Sequence, residues 1–307
     1  MLANFLSKTR PINYVFILTL LLLSFCIHTL PGYFVNFKWV NIITILANLA
    51  GLFFMVLLIN FVIRKNLLTK DNSFALFLIV LFFLMFPKTM QWTNAFISNV
   101  FLLITLRRVY SLRNNTRITV KLFDAGFWLG IAFLFLNTTL IFWLILFFGM
   151  LVYGKQNIKN VLASIFGIAT PVFLFYVYCL ISEKLSLFNQ LAIFNYSFDF
   201  TSLGTVTLIL TTAVLIATVF WSAVNVTSGL QRVNQKHKAT WYLMLLNLLI
   251  AIAVSIMQTE KNGSEFIFVF FPASVIIANY FQKEKDKWFK NFVIYLLFFT
   301  ALSAFFL

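Results

Sequence analysis

Ile12-Asn13-Tyr14-Val15-Phe16-Ile17-Leu18-Thr19-Leu20-Leu21-Leu22-Leu23-Ser24-Phe25-Cys26-Ile27-His28-Thr29-Leu30 runs for about 19 residues without a charged side chain that is fixed at neutral pH. A helix needs about 20 mostly apolar residues to cross the roughly 30 Å hydrocarbon core of a bilayer. The run exceeds the about 7–15 residues of a secretory signal's apolar region, and it ends in Leu30-Pro31-Gly32-Tyr33, without a small-residue cleavage site. It reads as a retained first membrane span. In lipid every backbone N–H and C=O must be satisfied within the segment, so the span is expected to be a helix.

The pattern repeats. Apolar runs occupy about 12–30, 40–62, 73–87, 95–106, 124–136, 139–153, 161–181, 205–224, 241–257, 266–281 and 291–307. The third to sixth are short. The pair 73–87 and 95–106 suits either two short helices or a re-entrant pair. The stretch 124–153, broken only by Asn137, Thr138 and Thr139, suits either a tight hairpin or one long bent helix. The chain is 62% hydrophobic and 10% charged, against about 25% charged for a soluble domain, and its mean hydropathy is +0.97. No loop exceeds about 25 residues, and no repeat or low-complexity linker interrupts the pattern. The expectation is an all-α polytopic transmembrane bundle of about 11 spans, a single domain over 1–307 with no soluble domain.

Charge orients the bundle. The net charge is +15, but the cations sit in short loops between apolar runs, not on one amphipathic face, so a nucleic-acid partner is not expected. Alternate loops should share a side of the membrane. One set holds 19 Lys and Arg, including Lys8, Arg10, Arg64, Lys65, Lys70, Arg232 and Lys283; the other holds only Lys38, Lys88, Lys184 and Lys261. Cytoplasmic loops carry the cationic excess. The amino terminus is therefore expected in the cytoplasm and the end, Ala304-Phe305-Phe306-Leu307, at the outer face of a bacterial inner membrane.

Several chemistries are disfavoured. Cys26 and Cys179 both lie in apolar runs, and His28 and His237 are far apart, so no metal set is expected. There is no Walker motif, Gly-rich dinucleotide turn or zinc signature, and no cofactor is expected. Mid-span polarity is limited to groups such as Asn48, Asn60, Asn99, Asn247 and Ser255, which pin helices together more readily than they carry ions. The 41 phenylalanines accompany abundant Ile, Asn and Lys, the signature of an AT-rich genome.

Candidate sites lie at the span ends. Between 107 and 121, Arg107, Arg108, Arg113, Arg117 and Lys121 occur without an acid, which suits a topology anchor and contact with anionic lipid or phosphate. Asp124 is expected to cap the following helix. On the opposite side, Glu260-Lys261-Asn262-Gly263-Ser264-Glu265 sets two carboxylates and an ammonium around an Asn-Gly turn. Glu265 stands at a membrane entrance, where desolvation suits a carboxyl to general-base work; helix start is the competing role. The long loop 182–204 mixes Glu183, Lys184 and Asp199 with Phe194, Tyr196, Phe198 and Phe200 and reads as an interfacial aromatic segment. Tyr33 and Trp39 read as interfacial anchors.

Leu103-Ile104-Thr105-Leu106-Arg107-Arg108, the stretch Phe123-Asp124-Ala125-Gly126-Phe127-Trp128-Leu129-Gly130-Ile131-Ala132, Lys155 to Lys159, and Gly167 with Pro171 before Tyr176 resemble the middle of GT-C-type glycosyltransferases, which use polyprenyl-phosphate sugars. That resemblance implies an outer-face enzyme with Glu265 or Glu260 as base, Lys261 on a phosphate, and Asn262, Asp199 and His28 among the substrate contacts. The first outer loop departs from the GT-C pattern, because Pro31 to Trp39 holds no acid. The whole chain more closely resembles a domain-of-unknown-function family of multi-pass bacterial inner-membrane proteins, through Lys8-Thr9-Arg10-Pro11-Ile12-Asn13-Tyr14, Leu106 to Arg113, Phe123 to Gly130 and Lys261 to Glu265. That resemblance implies topology and compartment, not activity. Three roles follow in order: an accessory subunit bound to membrane lipids and other envelope proteins, a GT-C-like transferase acting on a polyprenyl-linked glycan, and a lipid or glycan transporter without ion coupling.

Overall fold

The structure is a computed structural model that describes residues 2–31, 39–194, 196–199, 205–228, 235–259 and 261–306. Glu260, Tyr33, Lys38, Phe200, Arg232 and Leu307 lie outside the described residues. Among the described residues the fold is all-helical. In chain order the helices are α1 (Leu2–Leu6), α2 (Pro11–His28), α3 (Trp39–Lys65), α4 (Phe74–Met85), α5 (Asn94–Tyr110), α6 (Ile118–Phe135), α7 (Trp143–Val152), α8 (Ile158–Ile181), α9 (Leu185–Ala192), α10 (Val206–Ser228), α11 (Gln235–Met257), α12 (Ile267–Lys283) and α13 (Lys287–Phe306). Each apolar run of the sequence falls on a helix. Among the described residues eight segments, in α2, α3, α5, α6, α8, α10, α11 and α12, are long and apolar enough to cross a membrane; Phe74–Met85 and Asn137–Val152 are apolar but shorter.

The chain divides into two compact units. The first comprises Met1–Trp92, Asp199–Val233 and Glu260–Leu307. Its core is the pair α4 and α12. All of α4 except Leu84 is buried, as is most of α12. Phe74 meets Phe281 with ring centroids 5.4 Å apart, Phe82 meets Phe270 at 5.5 Å, and Phe86 meets Phe266 at 4.7 Å. Numbers rise on one helix as they fall on the other, so the two run antiparallel. Such ring pairs add roughly 0.5–1.5 kcal/mol each beyond their buried area. α2, α3 and α13 also pack on α4. At about 1.5 Å per residue α4 is only about 18 Å long, shorter than a bilayer core. A short element with exposed helix ends is tolerated at membrane depth where protein surrounds it, and α4 is surrounded. Polar ties hold the ends of the pair. Asn279 Nδ2 donates to the Leu68 carbonyl at 2.9 Å, and the Lys70 N–H donates to Gln282 Oε1 at 3.1 Å.

The second unit comprises Thr93–Phe198 and Asn234–Thr259. α6 is its axis. On one side Ser98 Oγ and Thr105 Oγ1 of α5 donate to the carbonyls of Ala132 and Ala125 at 2.9 and 3.3 Å. On the other side α6 and α8 meet backbone to backbone. A Cβ on Gly126 would fall on the Ser164 carbonyl oxygen, and one on Gly167 would fall on the Phe123 carbonyl oxygen. A Cβ on Gly130 would lie 2.5 Å from the Pro171 Cγ. Small residues let helices approach this closely, so dispersion and weak polar contacts substitute for the hydrophobic drive that lipid lacks. The stretch 124–153 is not one long bent helix: Leu136 turns extended and a 3₁₀ segment, Asn137–Phe142, leads into α7. The break is fully tied. Asn137 Nδ2 donates to the Ile193 carbonyl at 2.7 Å, and Gln258 Nε2 donates to Thr138 Oγ1 at 2.9 Å.

Asp124 is not a helix cap. α6 begins at Ile118, which puts Asp124 in its second turn, where the N–H groups already have intrahelical partners. Its carboxylate instead pairs with the Arg108 guanidinium at 2.9 Å.

Candidate functional site

The Asn-Gly turn before α12 gathers three of the sequence candidates. Gly263 takes the left-handed conformation, φ +98°, which a Cβ disfavours. That geometry folds the chain back so that the Asn262 Oδ1 accepts the Ser264 N–H at 3.1 Å and the Glu265 Oε2 accepts the Gly263 N–H at 2.8 Å. A short 3₁₀ segment, Ser264–Phe266, then leads into α12. Glu265 is 3% exposed and Lys261 2% exposed, and the two interact electrostatically. A buried charge is tolerated only with partners, and Glu265 has both a backbone donor and a cation. The site thus fastens a turn, with the Phe86 and Phe266 rings packed together beside it. Asp199 is exposed beyond α9, and His28 closes α2, half-buried; they belong to other segments of the chain than the turn. Glu260 lies outside the described residues.

Gly263→Ala should destabilise this turn by about 1–2 kcal/mol from the left-handed backbone alone. A Cβ there would also sit 3.1 Å from Leu208 Cδ2. Thermal melting of the detergent-solubilised protein checks it: an unchanged midpoint contradicts the assigned conformation.

The basic loop of the second unit is folded by its own cations. Arg107 and Arg108 lie in the last turn of α5, Arg113 ends a 3₁₀ turn, and Arg117 is exposed, with φ +48°, just before α6. Lys121 Nζ donates to the carbonyls of Ser111 and Asn114 at 2.8 and 3.1 Å, a second donor for two carbonyls that already accept the Asn114 and Thr116 N–H groups. Cations at a helix C-terminus also favour its dipole. Thr119 Oγ1 donates to Asn160 Oδ1 at 2.9 Å, which brings the start of α8 and its Lys155 and Lys159 loop to the same end. Tyr153, at that end, has its hydroxyl 3.1 Å from Thr240 Oγ1. The result is a cationic surface with Asp124 as its ion-paired acid.

The family model of unknown function DUF6427 matches residues 1–307. The chain belongs to DUF6427. The whole-chain resemblance read from Lys8 to Tyr14, Leu106 to Arg113, Phe123 to Gly130 and Lys261 to Glu265 is therefore shown, while the likeness to GT-C-type glycosyltransferases is not. No curated protein and no solved structure matches the chain. Two features of this DUF6427 chain escaped sequence reasoning. The Gly126-Phe127-Trp128-Leu129-Gly130 spacing carries a small-xxx-small signal, and its partner face on α8 is what it predicts. The Gln258 to Thr138 tie carries no sequence signal, because two polar residues 120 positions apart announce nothing by spacing.

Proposed function

We propose that the chain is a multi-pass bacterial inner-membrane protein of eleven crossings that serves as an accessory, non-enzymatic subunit of an envelope system. The amino terminus lies in the cytoplasm and the segment ending at Leu307 at the outer face. α4, α7 with its 3₁₀ lead-in, and α13 make the three crossings beyond the eight long apolar segments. Large apolar side chains on the long helices, among them Phe54, Phe166, Phe173 and Phe220, face lipid tails. Arg107, Arg108, Arg113 and Arg117 meet anionic lipid headgroups, as cations at a cytoplasmic interface do.

The observation that carries the accessory reading is the use made of Glu265. The carboxylate best placed for base chemistry is buried and engaged in holding its own turn, which is the role of a structural group. A GT-C-like transferase with Glu265 as base needs that carboxylate to reach a substrate proton.

Complementation of a chromosomal deletion tests it, with a reporter fused after Leu307 to fix the side. Glu265→Gln, which keeps an acceptor oxygen, is expected to complement fully, with the reporter active at the outer face. Complete loss of function from a Glu265→Gln protein that accumulates normally would return the chain to the transferase reading and its polyprenyl-linked glycan.

A further inference from the structure

The first unit contains a polar recess that none of the roles above uses. It has a volume of about 100 Å³ and lies where the start of α2, the end of α3 and the start of α4 converge. That is room for a few waters or for one tetrahedral phosphate group. Two cations line it, Arg64 and Lys70, and both are exposed enough to meet a ligand from solution. Arg64 is held in place: its guanidinium carbon lies 5.4 Å from the centre of the Tyr14 ring, a cation–π contact that leaves the N–H edge of the guanidinium for other partners. Asn60, one helical turn before Arg64 on α3, adds an amide to the same wall.

The floor of the recess is the first turn of α4. Helix starts leave four N–H groups without intrahelical partners. Here Ser73 N–H donates to the Leu6 carbonyl at 3.0 Å and Phe74 N–H to Asn72 Oδ1 at 3.1 Å. The side chain of Ser73 caps nothing in the helix. Ala75 and Leu76, the next residues of that first turn, both line the recess. The recess therefore sets two side-chain cations beside the start of a helix, the positive end of its dipole, in a small concave space, a combination suited to phosphate. One acid, Asp71, stands among the lining residues; against Arg64 and Lys70 it leaves a formal excess of one positive charge.

The geometry points to a binding site for a phosphate group in this recess, with Arg64 and Lys70 as its cationic ligands. The phosphate comes either from a phospholipid headgroup or from a soluble phosphate. The lipid source rests on the membrane reading above; the soluble source does not, so the two fail separately.

Thermal melting of the purified full-length protein in neutral detergent tests the site, with three probes titrated in parallel: phosphatidylglycerol, phosphatidylcholine and inorganic phosphate. The variants are Arg64→Gln, Lys70→Gln and their combination, with Lys65→Gln, a neighbouring cation outside the recess, as the control for bulk charge. Each recess substitution should weaken the responding probe by roughly 10-fold, the scale of one lost charged hydrogen bond, while Lys65→Gln leaves it within about 2-fold. A response to phosphatidylglycerol that is lost in the recess variants, without one to inorganic phosphate, assigns the site to lipid. A response to inorganic phosphate that is lost in the same variants assigns it to a soluble phosphate. No response to any probe, or a response that all four variants share equally, overturns the proposal.

Discussion

Gly167→Leu is expected to abolish accumulation of the folded protein. The residue sits where α6 and α8 touch main chain to main chain, and even a methyl group there would fall on the Phe123 carbonyl oxygen and lie 3.0 Å from the Gly126 Cα. Those atoms belong to helix backbones locked by their own hydrogen bonds, so no rotamer change relieves the overlap. Overpacking commonly costs about 1–3 kcal/mol even where side chains yield. Here the only relief is to part the helices, which forfeits the contacts along the whole α6 and α8 seam. Total stabilities of about 5–15 kcal/mol leave little room for that loss. Gly126→Leu should behave alike. Gly149→Ala should be milder, because its added Cβ meets a side-chain methyl, Val109 Cγ1, at 2.9 Å. Gly154→Ala should cost only about 1–2 kcal/mol of left-handed strain, since nothing lies within 4 Å of it. Yield of monodisperse protein on size exclusion, followed by thermal melting, ranks the four. Equal yields of Gly167→Leu and Gly154→Ala would show that the seam is not closed as described.

Glu265→Ala should be the most damaging substitution of a polar side chain. It removes the acceptor of the Gly263 N–H, at about 1–3 kcal/mol for a buried donor left open. It also removes a carboxylate charge that interacts with the buried Lys261 ammonium; breaking a buried pair outright costs about 3–5 kcal/mol, which bounds this loss from above. The two costs overlap, because they concern one carboxylate. Glu265→Gln retains an acceptor and should lose only the charge part. Lys261→Met combined with Glu265→Gln should recover most of that part, because an apolar replacement of a buried pair is often close to neutral. A double-mutant cycle measured by chemical denaturation supplies the coupling. If the single losses of Lys261→Met and Glu265→Gln sum to the double within about 0.5 kcal/mol, the two side chains do not act on each other and the turn is held otherwise.

How much of this was readable beforehand depended on the kind of signal. The apolar runs were legible because lipid forces the backbone into helices, and each run falls on one. The limits of the runs were less so. The segment expected at 124–136 begins at Ile118, because the helix runs on through Lys121 and Asp124, beyond the limit of the apolar sequence. Both are accommodated inside the helix, one folded back onto the Ser111 and Asn114 carbonyls and the other paired with Arg108. Charge ends a hydropathy run but not a helix. The Lys261 to Glu265 turn was legible as a place, since Asn-Gly fixes a turn and two charges at a span entrance attract notice. The use of Glu265 was not, because it depends on a φ angle and on burial that no residue spacing encodes. The phosphate recess was invisible for a similar reason. Tyr14, Arg64, Lys70 and Leu76 come together only once α2, α3 and α4 are placed.

The burial of α4 sets an order of events during synthesis. Twelve apolar residues fall short of the about 17–25 that a membrane-insertion apparatus accepts as a span on their own. The helix has its phenylalanine partners on α12, near the other end of the chain. At about 5–20 residues per second the ribosome needs roughly 10–40 s after making Phe86 before Phe266 exists to meet it. Throughout that interval the short helix waits beside α2 and α3 with one flank uncovered. A nascent chain stalled before α12 therefore exposes an unfinished groove to quality-control proteases, and the first unit becomes protease-resistant only when its segment from Glu260 onward has been translated.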